Sequence, residues 1–151
     1  MNKAHVTTLA SSLAAAALAS GVAASSSTAS RGVAYLRFYE RPGPTTTVDH
    51  VPRGKMGDVF LYSNPVFDRQ GTRVGTDHGV CTMLNARQSQ CNATLTLPKG
   101  QIVTLGLHGP DPEPNYQAAV IGGTGAYAAV RGTLVSRPLK DGGWTVLISL
   151  V

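Results

Sequence analysis

A few residues in this 151-residue chain have types and positions suited to chemistry: Glu40, Asn64, Asp77, Cys81 and Cys91. Glu40 ends the run AYLRFYE, in which Ala34, Leu36 and Phe38 share its face by two-residue alternation. An acid on an apolar strand face points inward at the mouth of a core or cavity, where burial raises its pKa unless a cation pairs with it. The bland alternative is a surface ion pair with Arg37 or Arg41. Asn64 shares the face of Phe60, Tyr62 and Val66; its side chain either serves a site or bonds the backbone bent by Pro65. Asp77 has the parity of Cys81. The cysteine that ends RVGTDHGVC is open to three uses: a reactive thiol, a metal ligand or half of a disulfide. His50, His78 and His108 have no metal-ligand spacing, so no metal is expected. No nucleophile-elbow motif is present.

The elements that must hold these residues read as strands and turns. After Arg31 the chain offers eight strand-like segments, among them GVAYLRFYE, GDVFLYSNPVF, TRVGTDHGVCTML, CNATLTL and AYAAVRGTLVSRP. Short stretches with Gly, Pro, Asp or Asn join most of them. RPGPTTT reads as a break after the first strand. No segment keeps a helical period over three turns. Eight sequential strands with hairpin-length links predict an all-β fold, an eight-stranded antiparallel up-and-down barrel, with a two-sheet sandwich as the alternative. A barrel of that size either fills itself with side chains or holds one small ligand. Interior glycines such as Gly75, Gly79, Gly106 and Gly132 suit sharp local bending and leave room inside.

The N-terminus fixes the expected compartment. Residues 1–29 carry one lysine, no acid and an apolar run of small residues, the layout of a secretory signal peptide cleaved near Ala29. Residues 30–151 then form one domain, with 12 Lys+Arg and 8 Asp+Glu for a formal charge of +4. These charges are scattered, without the basic stripe that nucleic acid requires, and the apolar leader is too short to predict a membrane span. Export makes a disulfide the default fate of two cysteines. Cys81 and Cys91 lie symmetrically about Ala86 in the presumed hairpin turn, where directly opposed residues come close enough to bridge. Asn92, in the sequon NAT, then faces outward beside an inward Cys91.

GDVFLYSNPVFD, RVGTDHGVC and AVIGGTGAYAAVRGTL, in this order and spacing, resemble the allene oxide cyclase barrel, a fold shared with dirigent proteins. The resemblance runs from about Ala34 to Leu150. It implies a cofactor-free barrel whose apolar cavity guides the cyclisation, isomerisation or stereoselective coupling of a hydrophobic unsaturated small molecule. Family members form dimers and trimers, so a homo-oligomer is implied, although the outward strand faces show no obvious seam. By the same resemblance Glu40 matches the cyclase glutamate that steadies a cationic intermediate. Asn64 matches the asparagine that holds a water or the substrate oxygen, and Cys81 matches a cysteine of the cavity wall. Arg131 falls where dirigent proteins carry an arginine that acts beside acids, with Asp77 as a candidate partner. Asp111 stands near the position of a cyclase tyrosine, or in a solvated loop. Phe38, Phe60, Tyr62 and Tyr116 complete the expected substrate wall, with Tyr127 and Trp144 as further candidates. A noncatalytic carrier of hydrophobic ligands, built like a lipocalin, is the alternative.

Overall fold

Alternating apolar and polar side chains, interrupted by turn residues, produce strands here and leave little else. The structure, a computed structural model, describes residues 33–48, 56–109 and 115–151. The expected leader, His50 and Asp111 lie outside the described residues. The strands are β1 (Ala34–Glu40), β2 (Thr45–Val48), β3 (Val59–Phe67), β4 (Arg73–Asn85), β5 (Gln88–Leu97), β6 (Gly100–His108), β7 (Tyr116–Gly123), β8 (Gly132–Pro138) and β9 (Trp144–Leu150). From β3 to β9 each strand pairs antiparallel with the next. β9 pairs with β1, and β1 closes onto β3 through Tyr39↔Phe67 and Glu40↔Val66. Eight strands therefore form one closed antiparallel ring, which excludes the two-sheet alternative.

Two segments depart from the sequence expectation. The stretch read as a break after β1 contains β2, which pairs with β3 from Thr45↔Tyr62 to Val48↔Val59. β2 continues β1 along the same edge of β3, so the ring still has eight positions. The step from Glu40 to Thr45 is five residues, whereas its partner step from Val66 to Tyr62 is four, so residues 41–44 hold a one-residue bulge. The second departure is AYAAVRG, expected as strand. Gly125–Tyr127 is instead a turn of 3-10 helix, and Gly125 (φ 59) and Ala129 (φ 62) take left-handed backbone angles that no strand admits.

The lumen is divided along its length. At the end where β1 begins and β9 finishes, Val66, Leu95, Ile102, Val120, Val146 and Ile148 are almost wholly buried, and Leu36, Phe38, Val74, Tyr127 and Val130 pack against this cluster. The other end, where β1 finishes and β9 begins, holds a cavity. Outside the ring, Leu61, Val80, Val103 and Ile121 border a shallow apolar groove, a feature that the outward pattern alone does not show.

Candidate active site

The cavity measures about 230 Å³ and opens at the end of the barrel where Glu40 stands. That exceeds by about half the roughly 150 Å³ apolar cavity known to take benzene, and lies just below the usual range of ligand pockets. Phe60, Tyr62 and Asn64 of β3 form one wall, and Tyr116 of β7, Ser136 of β8 and Trp144 of β9 face them. Cys81 and Cys91 also line it. They are directly opposed across β4 and β5, 4.0 Å apart at Cα, and joined by a disulfide. The cysteines are thus part of the wall and supply no thiolate. Pro42 and Gly43 of the bulge and Thr45 of β2 also line it, with His108.

Glu40 is 7% exposed, Asp77 8% and Asn64 9%. Asn64 and Asp77 are opposed across β3 and β4. The backbone N–H of Gly43 donates to Asn64 Oδ1 at 3.0 Å, which leaves the Asn64 amide hydrogens for the Glu40 carboxyl, its hydrogen-bond partner. Gly43 is obligatory: a Cβ there would strike the Ser63 carbonyl. Tyr62 donates its phenol hydrogen to Asp77 Oδ2 at 3.2 Å. Its ring lies flat across β4 in the space that a side chain at 79 would fill, because a Cβ on Gly79 would fall on the ring itself. Among the described residues every buried side-chain nitrogen and oxygen has a hydrogen-bond partner, as a buried polar network requires.

Burial sets the protonation of this network. Desolvation, reinforced by the Asp77 charge and partly offset by the Asn64 hydrogen bond, pushes the Glu40 pKa up to about 8. Desolvation also raises Asp77, to about 6, against the lowering effects of the Tyr62 hydrogen bond and the His78 charge. Burial, with the charges of Asp77 and Glu40 beside it, pushes the Tyr62 phenol up, so it remains a donor. The two acids repel one another and titrate as a pair that keeps one proton near neutral pH. Such a group can donate a hydrogen bond into the cavity when protonated, or stabilise positive charge when ionised.

The structure brings Glu40, Asn64, Phe60, Tyr62, Tyr116, Cys81 and Cys91 to one cavity and sets Asp77 directly behind Tyr62. It places two expected wall residues elsewhere. Phe38 faces inward but lies one layer deeper, in the apolar floor. Arg131 is exposed, donates to the carbonyl of Val130 and pairs its backbone with Val151 at the closed end. It is therefore remote from Asp77, because the 3-10 turn removes the strand parity on which its placement rested. Tyr127 also packs on the floor. His108, stacked on Tyr116 at 5.3 Å between ring centres, and Ser136 belong to the cavity although the sequence reading gave neither a wall role. Their parity with Ile102 and with Leu134 is the signal that finds them.

Solved structures share this architecture. One is a pyocyanin demethylase, 24% identical, with a TM-score of 0.70 over 78% of this chain and 100% of its own. Another is a pterocarpan synthase dirigent protein, 20% identical, with a TM-score of 0.62 over 78% of this chain and 85% of its own. A third is an exo-specific intermolecular Diels-Alderase, 18% identical, with a TM-score of 0.61 over 78% of this chain and 97% of its own. At these identities the likeness shows the fold. No curated protein sequence matches the chain. The family described as allene oxide cyclase barrel like domain matches residues 44–147. That span takes in the cavity wall from β2 to β9, and the chain belongs to this family.

Proposed function

We propose that the barrel binds a small, largely apolar, unsaturated molecule in its open half and guides it through cyclisation, isomerisation or stereoselective coupling. The observation that carries the reading is the hydrogen-bonded acid Glu40, buried in the wall of a cavity otherwise made mostly of aromatic rings, a disulfide and small residues. A rigid wall selects one fold of a flexible substrate, which lowers the entropic part of the barrier. Glu40 stabilises the positive charge that develops, or holds the proton to be moved, and Asn64 fixes its orientation. Tyr62, Phe60 and Tyr116 form the wall. Family membership supports the type of chemistry, and the disulfide supports export to an oxidising compartment.

The test has two stages. Native mass spectrometry of the purified chain identifies a compound held by the barrel, and turnover of that compound is then followed with wild type and Glu40→Ala. A catalyst loses at least tenfold in rate with binding largely kept. Equal conversion with both proteins and with buffer alone would establish a carrier and defeat the proposal.

A further inference from the structure

The lining of the cavity constrains what charge its occupant carries. Of the nine Phe, Tyr and Trp residues in the sequence, four (Phe60, Tyr62, Tyr116 and Trp144) line it. Among the described lining residues none is Lys or Arg, although the chain has 13 of them. Arg41, next to Glu40, turns away and lies over the Phe67 ring, 5.1 Å from its centre. A cavity lined by four aromatic rings and one buried carboxyl offers, among the described residues, no fixed Lys or Arg charge to hold an anion. Ring faces and a carboxylate both attract positive charge, and more strongly once water is excluded. We propose that the cavity takes a small organic cation, an aromatic quaternary ammonium or a protonated aromatic amine, with its charge against Glu40 and its apolar body among these four rings. The proposal rests on the reading of this cavity as the binding site and names the substrate class for it.

A cation bound here favours the ionised form of Glu40 and so expels a proton wherever that carboxyl holds one. The groups that face Glu40 are Asn64 and Tyr62 from β3, Asp77 from β4 with His78 beyond it, His108 from β6, Tyr116 from β7 and Trp144 from β9. Among them Glu40 and Asp77 share a proton near neutral pH, and a cation against Glu40 removes the reason for keeping it. Affinity for the cation therefore rises as pH rises towards 9, while affinity for a neutral molecule of the same shape does not.

Phenyltrimethylammonium and tert-butylbenzene differ in one central atom and one charge, and Trp144, the single tryptophan, reports entry of either by fluorescence. At pH 7 the cation is expected to bind at least tenfold more tightly than the hydrocarbon. Calorimetry in phosphate and in Tris is expected to show release of up to one proton per cation bound and none for the hydrocarbon. Glu40→Gln is expected to abolish the preference and the proton release, with tert-butylbenzene affinity within threefold of wild type. Equal affinities in the wild type, or a preference that survives Glu40→Gln, would overturn the proposal and leave the binding cavity standing. Failure of both ligands to bind would overturn the cavity reading as well.

Discussion

Replacing Glu40 with glutamine isolates the cost of holding an acid inside the barrel. Burial, helped by Asp77 and opposed by Asn64, takes its pKa from 4.5 to about 8. Between these values the folded chain retains a proton that the unfolded chain gives up. Folding therefore takes up protons, and stability is lost as pH rises through the window. At about 1.4 kcal/mol per pH unit the loss comes to about 3 kcal/mol by pH 7 and, as the folded acid begins to ionise, about 4 kcal/mol by pH 8, a large share of the roughly 5–15 kcal/mol that domains have. Glutamine keeps the shape, accepts the same amide hydrogen from Asn64 and does not ionise. Urea unfolding of both proteins at several pH values, with the disulfide intact, measures the difference directly. The curves are expected to converge near pH 5 and to separate towards pH 8, with Glu40→Gln the more stable. Asp77, raised from 3.8 to about 6, has the same sign and keeps a slope below pH 6 in both. Parallel stability profiles up to pH 8 would refute the raised pKa that burial gives this carboxyl.

Two further outcomes follow from the same wall. Tyr62→Phe removes the hydrogen bond that lowers the Asp77 pKa, so carboxyl-carbon NMR is expected to show its midpoint moving up from about 6, with about 1–2 kcal/mol lost in stability; an unmoved midpoint would count against that bond. Replacing both cysteines with serine opens a loop with a sequence separation of 10 and is expected to cost about 3 kcal/mol in urea unfolding, whereas an unchanged midpoint would mean that the hairpin holds its register without the bridge.

Much of the wall was legible because strand faces repeat every two residues, so closing the ring sends every second side chain inward. Glu40, Asn64, Tyr62 and Phe60 follow from parity alone, and the Cys81–Cys91 pairing follows from symmetry about the hairpin turn. Parity fixes a face and leaves depth open. Phe38 and Glu40 share a face, but one layer of stagger puts Phe38 in the floor and Glu40 in the wall. Arg131 shows the other weakness. AYAAVRG alternates like a strand, yet its left-handed Ala129 turns the chain, and nothing in the residue types announces that angle. Gly79 suggested spare room inside; the space is taken by the Tyr62 ring, a long-range fit invisible from either segment alone.

The bulge at residues 41–44 links the fold to the site most directly. Its two end residues bond to β3: the N–H of Arg41 donates to the Pro65 carbonyl at 3.2 Å, and the N–H of Ser63 to the Pro44 carbonyl at 3.0 Å. Between those two bonds the extra residue frees one backbone donor from the ladder, and this donor, the N–H of Gly43, turns to the Asn64 side chain. Pro42 and Pro44 have no N–H to compete with it. With its oxygen occupied, Asn64 presents only amide hydrogens to Glu40, which fixes the acid at the rim of the cavity. A continuous β1–β2 strand would close the barrel just as well but would leave Asn64 free to turn its oxygen towards the acid. The proline-glycine stretch that reads in the sequence as mere punctuation is therefore the device that orients the site.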